Sequence, residues 1–323
     1  MNSINIPVIT YEKSIRRRFT IPANIKLFLM VLPFMVLTFL FSYLPIYGWV
    51  YALFDFKPGL KLSECKYMGL YFFKILFSDP ITSAETIRVL RNTFAISFLN
   101  LLTTPIPVIF AIFLTEIRNK RLKKVIQTLT TIPNFLSWIL VYSFAFAMFS
   151  VDDGFINRLL MSLNPNYTPV NFLASSDHVW LTQTAYGLWK GMGWSAIIYL
   201  SAIAFIDSEQ YEAAIIDGAG RFRMMWHITV PGILSTFFVI LLLTVANLVN
   251  NGVGQYYVFM NAMNKDYIEV LDLYVYNVGI RNGMMGFNYS FATAIGVLKS
   301  VVSVVLLFTI NYISNKVRHE KII

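Results

Sequence analysis

The chain has one cysteine, Cys65, and three histidines, His178, His227 and His319, in 323 residues. It therefore holds no internal disulfide, and the histidines share no metal-ligand spacing. Charge is scarce too: Asp, Glu, Lys and Arg make up 13% of the chain, against roughly a quarter in water-soluble domains. That shortage excludes soluble enzymes, disordered tails and coiled coils. No Gly-x4-Gly-Lys-Ser/Thr loop is present to cradle phosphates, and no internal repeat is visible. What is abundant is apolar surface, with 57% hydrophobic residues and a mean hydropathy of +0.61. This composition describes an integral membrane protein. The net charge of +9 does not point to nucleic acid, because the basic residues flank apolar stretches instead of lying on a polar, aromatic-interleaved surface.

A membrane-spanning helix needs about 20 mostly apolar residues, and six such runs are present: Ile25–Trp49, Phe94–Ile117, Val125–Phe149, Trp180–Phe205, Val230–Leu248 and Phe291–Ile313. The first has a basic start, as a signal peptide does, but it is too long and lacks a small-residue cleavage site. Lys and Arg are retained on the cytoplasmic side of short loops. With both termini inside, the cytoplasm receives Lys13, Arg16, Arg17, Arg18, Lys26, Arg118, Lys120, Arg121, Lys123, Lys124, Arg221, Arg223, Lys316, Arg318 and Lys321. The expected organisation is a cytoplasmic basic tail at 1–24, an all-α domain of six transmembrane helices at 25–313 with a cytoplasmic loop at 206–231, and a cytoplasmic tail at 314–323.

Two outer segments are long, Tyr51–Leu90 and Asn250–Tyr289. In the second, Tyr256, Tyr257, Val258, Val270, Leu271, Leu273 and Tyr274 alternate with polar groups too often for a linker, so it is expected to fold back onto the bundle. The spacing of Phe155, Ile156, Leu159 and Leu160 predicts a short helix lying along the membrane surface.

The loop at 206–228 is the informative one. Ser208 to Asp217 reads as a helix with Ser208 as N-cap and acidic residues near the positive end of the dipole. Gly218-Ala219-Gly220 interrupts it, helical character resumes from Arg221 to Trp226, and Pro231 sits just inside the next span. The outcome is a bent elbow with Tyr211, Ala214 and Ile215 on one side, Glu212 on another, and Ala213 small enough for close approach by another backbone. Such an elbow suits docking into a groove; amphipathicity alone equally suits helices resting on lipid headgroups.

Spacing decides between them. Glu212-Ala213-Ala214, three residues, Gly218, nine residues, Ile228, one residue and Val230-Pro231 resembles the EAA motif of ABC importer permeases, with Val230 replacing a leucine. The run Tyr211–Ala219 is similar to the carbohydrate-uptake branch. Arg91-Asn92-Thr93, Pro133, Trp189-Lys190, Tyr199-Leu200 and Asp272–Tyr276 resemble its LplB-like, polysaccharide-type permeases, over roughly Ile25 to Lys316.

This resemblance implies a type I ABC importer permease whose elbow is the coupling helix, with Tyr211, Glu212, Ala213, Ala214, Asp217 and Gly218 gripping a separate ATPase subunit that carries ATP and Mg. It also implies a second related permease, two ATPase subunits, an extracytoplasmic binding protein, and a carbohydrate of the oligosaccharide class as cargo moved by alternating access across the cytoplasmic membrane. On this reading the chain has no catalytic residue, no metal and no cofactor of its own.

Sugar recognition combines aromatic faces with amides and hydroxyls. The candidate pathway residues are Asn134, Trp189, Lys190, Trp194, Tyr199, Asn247, Asn250 and Asn251; Trp138 and Trp180 read as interfacial anchors. Lys190 and Lys299 lie at or near membrane depth, where an ionisable group is paired, lines a cavity or snorkels. Gly187, Gly191 and Gly193 have spacings that permit close helix packing. Two rivals remain: an ion-gradient-driven secondary transporter, which would show repeated halves and buried acids, and a membrane-embedded glycan or lipid enzyme, which needs a polar catalytic set.

Overall fold

The computed structural model describes residues 22–164, 166–281 and 289–318, with side chains to 312 in the last stretch. Lys13, Arg16, Arg17, Arg18, Lys321, His319 and the side chains of Lys316 and Arg318 lie outside the described residues. Among the described residues the chain is helical, apart from an isolated antiparallel bridge between Phe54 and Tyr67. Among the described residues four helices are long and apolar enough to cross a membrane, and up to six crossings result if two bent helix pairs each count as one.

Contacts divide the chain into two units, one ending at Trp49 and the other beginning at Val50. The first contains the helix Ala23–Thr38, with Pro33 inside it, continued by a π turn at Phe39–Tyr43.

In the second unit the span expected at Phe94–Ile117 starts earlier, at Pro80, and runs to Thr115. Asp79 caps it, accepting from the Thr82 N–H at 2.9 Å, and Pro80 follows where a missing N–H costs nothing. Hydropathy hid this start because Glu85, Arg88 and Arg91 interrupt the apolar run. Their partners come from the second outer segment. Arg88 donates to the Glu269 carboxylate at 2.7 Å, and Tyr274 donates to Glu85 at 3.1 Å. The Arg91 guanidinium donates to the Asp266 carbonyl at 3.2 Å and stacks over Trp180 and Tyr267.

That outer segment does fold back, as the helices Gly254–Phe259, Lys265–Ile268 and Leu271–Tyr276. Leu271 and Tyr274 bury against Phe72, Leu76, Val89, Phe291 and Ile295. Tyr256, Phe259, Ile268, Val270 and Leu273 bury against Ile96, Val141 and Val179. Each fully buried side chain of this size contributes about 1.5–3 kcal/mol relative to exposure. Polar pairing fixes the register. Asn92 donates to the carbonyls of Asp266 and Glu269 at 3.0 and 3.1 Å, and the Leu271 N–H donates to the Thr93 hydroxyl at 2.8 Å. Gln255 donates to the Gln183 carbonyl at 2.7 Å. The short outer helix is present as Phe155–Leu163.

The third span is not the single helix expected at Val125–Phe149. Lys120–Phe135 and Trp138–Phe149 meet at 110°. Pro133 removes a backbone donor there, the chain tightens into a 3-10 turn at Ile132–Phe135, and the Ser137 hydroxyl restarts the helix by accepting from Leu140 N–H at 3.3 Å. The fourth span, Val179–Ala204, packs against the first half of this pair and against Pro105–Thr115. Gly193 makes the close approach: a Cβ there would lie 2.2 Å from the Thr130 carbonyl oxygen, whereas Gly191 faces open space.

Glu269 is 2% exposed, and its second oxygen accepts from Asn277 at 2.7 Å. Removing one partner of a buried pair strands the other charge. Glu269→Ala should therefore lower the stability of the purified protein by about 3–5 kcal/mol in thermal or denaturant unfolding, and a shift indistinguishable from wild type would contradict the pairing.

Candidate functional site

The fourth span bends by 69° into the helix Ser208–Ile216. Its N-cap is Asp207, not the expected Ser208, because the Asp207 carboxylate accepts from Glu209 N–H at 3.0 Å. Its C-terminus has two closing bonds, Ala219 N–H to Ala214 carbonyl at 2.8 Å and Gly218 N–H to Ile215 carbonyl at 3.0 Å. This pair is a Schellman closure, which requires a left-handed residue just past the C-cap, and Gly218, which follows the cap Asp217, has φ +76°. The expected need for backbone freedom at Gly218 thus has a specific cause.

After Gly220 the chain re-enters a continuous helix, Arg221–Ala246, which begins earlier than the Val230 expected. Pro231 cannot donate one turn back, and the helix widens into a π turn at Met225–Thr229. The Tyr211 hydroxyl bonds the Thr229 hydroxyl at 2.9 Å, tying the elbow to the base of the fifth span, so Tyr211 braces the elbow from inside. Glu212, Ala213, Asp217 and Gly218 are exposed, and Ala214 is half-buried. Around them stand Phe205, Ile216, Phe222 and Trp226, between 71% and 89% exposed. These large apolar groups flank the bend at the ends of the fourth and fifth spans, a patch of the kind that lipid or a partner chain covers.

The second feature is a pocket of about 380 Å³ lined by Ser97, Asn100, Ile240, Leu243, Thr244, Asn247, Leu248, Asn250 and Asn251. The three asparagines named from sequence come together here. Ser97, Asn100 and Thr244 were not named. Asn251 donates to Ser97 at 2.8 Å, Asn250 donates to Asn247 at 3.2 Å, and the buried Asn251 Oδ1 has no hydrogen-bond partner. The pocket therefore presents amides and hydroxyls and no charged side chain, a lining suited to replacing water around neutral hydroxyl groups. Beside it, burial pushes the Tyr256 phenol up to about 12, so it stays a neutral donor.

The other pathway candidates lie outside this pocket. Tyr199 is 2% exposed and packs among Ala111, Ala196 and Phe237, which makes it core and not lining. Trp189 stacks on Phe144 at 6.1 Å, and Trp194 meets Phe135 edge-on at 5.8 Å. Both are more than 40% exposed. Asn134 and Lys190 belong to the bend in the third span: the Lys190 ammonium donates to the carbonyls of Pro133 and Asn134 at 3.2 and 2.6 Å and lies over the Trp138 ring. The Pro133 carbonyl also accepts from the Leu136 N–H at 3.2 Å, so the lysine adds a donor at a break where a helix end leaves carbonyls short of partners. Lys299 pairs with Asp272.

The family described as binding-protein-dependent transport system inner membrane component matches residues 103–319, a stretch that contains both the elbow and most of the pocket. The chain belongs to this family. It is similar to protein LplB of Bacillus subtilis (strain 168), with 40% identity over 97% of this chain and 96% of that one. It is also similar to the polygalacturonan/rhamnogalacturonan transport system permease protein YteP of the same organism, with 36% identity over 98% and 97%. A solved bacterial alginate ABC transporter, in complex with an alginate pentasaccharide-bound periplasmic protein, contains a chain that matches with a TM-score of 0.79 and 27% identity over 93% and 97%.

The chain is thus a membrane-embedded permease subunit of an ABC importer, a transport component and not an enzyme, and it works with a substrate-binding protein. Membership sets aside both rival readings. At the bend, Lys190→Met removes the ammonium donor from the Asn134 carbonyl and one of two donors from the Pro133 carbonyl, which should lower stability by about 1–3 kcal/mol in unfolding of the purified protein, with Lys190→Arg recovering part of it. Equal stability of the Met variant would show that the carbonyls find other donors.

Proposed function

We propose that this permease forms half of a translocation pathway for an oligosaccharide, with a second, related permease completing it. Two ATPase subunits, holding ATP and Mg, dock on the elbows, and an extracytoplasmic binding protein delivers the sugar to the outer loops. Both termini lie in the cytoplasm, and the assembly sits in the cytoplasmic membrane.

The observation that carries this reading is the elbow. A nine-residue helix locked by Gly218 and braced by Tyr211 transmits displacement as a rigid lever, and its exposed apolar rim supplies the area a motor would grip. Closure of the ATPases would then tilt the fourth and fifth spans, which flank the elbow directly, and turn an outward-facing cavity inward. The coupling is a free energy between the nucleotide sites and the pathway.

An oligosaccharide is supported by the amide and hydroxyl lining of the pocket and by the polysaccharides for which YteP and the solved transporter are named. Asn247, Asn250 and Asn251, with Ser97, Asn100 and Thr244, are the groups assigned to the sugar; Glu212, Ala213, Ala214, Asp217 and Gly218 are assigned to the ATPase.

Two variants separate these roles. Gly218→Asp places a side chain at positive φ and should leave the protein inserted while abolishing ATP-dependent uptake of labelled oligosaccharide; normal uptake would overturn the lever. Replacing Asn247, Asn250 and Asn251 together by Ala should retain ATPase assembly and lower uptake by about tenfold or more, the loss of several hydrogen bonds. Unchanged uptake would remove the pocket from the pathway.

A further inference from the structure

The asparagines that line the pocket sit on a short loop, and the loop is held from outside by a charged pair. Lys299 lies well inside the last helix, Tyr289–Arg318, with its side chain 17% exposed. Its ammonium pairs with Oδ1 of Asp272, at the start of the outer helix Leu271–Tyr276. The other oxygen of that carboxylate, Oδ2, accepts from the Gly252 backbone N–H at 2.7 Å. Gly252 has φ +76°, and a Cβ there would meet nothing within 4 Å, so the Asp272 carboxylate is the side-chain contact that anchors this turn.

Asn251 precedes Gly252 and donates to Ser97, whose hydroxyl in turn donates to the Leu248 carbonyl. One continuous chain of contacts therefore runs from the last span through Asp272 and the 250–252 loop to the second span. A carboxylate that bridges a lysine and a backbone amide fixes both, because each of its oxygens is committed.

We propose that Asp272, oriented by Lys299, is a positioning residue for the sugar pathway: it holds the Gly252 amide so that Asn250 and Asn251 face the pocket. The inference rests on the assignment of that pocket to the sugar. Lys299 on this account does not touch substrate. It neutralises Asp272 and aims one oxygen at it, leaving the other for the loop. The separable element is the acceptor at position 272, not the charge.

Two double variants isolate it. D272N/K299M removes both charges and keeps a carbonyl oxygen able to accept from Gly252. D272L/K299M removes both charges and the acceptor. Uptake of labelled oligosaccharide per inserted molecule should stay within about twofold of wild type in the first and fall about tenfold in the second, the scale of one lost hydrogen bond to a fixed group. A second readout does not depend on transport. In a Cys65→Ser background, the rate at which a membrane-impermeant thiol reagent labels Asn250→Cys should change in the D272L/K299M protein and not in the D272N/K299M protein. Equal transport and equal labelling in the two double variants would overturn the positioning role. If the alanine variants of Asn247, Asn250 and Asn251 also transport normally, the pocket assignment itself fails; if those variants are impaired while the double variants match, only the positioning role fails.

Discussion

The Glu269 carboxylate is enclosed almost completely, and it is tolerated there because Arg88 of the second span and Asn277 of the outer segment each satisfy one of its oxygens. Without that pairing the outer segment would have to release its grip on the span to hydrate the carboxylate. With it, Ile268, Val270, Leu271 and Leu273 are pinned in two apolar clusters, and the helix that begins at Pro80 becomes the post around which 250–281 is wound. The loop with the candidate residues Asn250 and Asn251 is the first part of that same segment. The position of the candidate pocket is thus a consequence of a charged pair remote from it.

The same constraint governs the irregular places in the spans. A bilayer offers no water to a broken helix, so non-helical backbone survives at depth only where protein groups satisfy it. At the 110° bend the Lys190 ammonium reaches the Pro133 and Asn134 carbonyls from the neighbouring span, and Gly193 lets that span come close enough. Asp272 does the equivalent for the turn at Gly252. The elbow needs no such donor, since its ends close on themselves through Asp207 and the Gly218 turn. That difference separates a bend whose turns close locally from turns whose backbone groups are satisfied by distant side chains.

The elbow was legible in the sequence because its requirements are local. A glycine at a left-handed turn, a polar cap before the short helix and a proline at the next helix start each specify geometry within a few residues. The fold-back of the outer segment was legible in outline for a related reason: its density of buried-type side chains exceeds what a linker needs. The start of the second span was not legible, because Glu85, Arg88 and Arg91 lower its hydropathy and their partners at 266–274 are distant in sequence. Ser97, Asn100 and Thr244 were missed because single hydroxyls and amides in apolar helices usually bond their own backbone. The spacing of Ser97 with Asn100 puts that pair on one helix face, and Thr244 lies one turn before Asn247 at the end of the fifth span; these were the signals available. Tyr199 misled for the opposite reason: an aromatic with a hydroxyl suits a sugar, yet here its ring fills the space between helices.

The central claim is that the bent helix at 208–216 is a cytoplasmic handle held by an ATP-hydrolysing partner, and sided chemistry tests it most directly. With Cys65 replaced by Ser and a single cysteine introduced in place of Ala213, an impermeant thiol reagent should react in inside-out vesicles stripped of peripheral proteins. It should fail to react in right-side-out vesicles, and lose its access when the ATPase subunits are restored. Labelling from the outer face, or undiminished labelling in the complete assembly, would contradict the account.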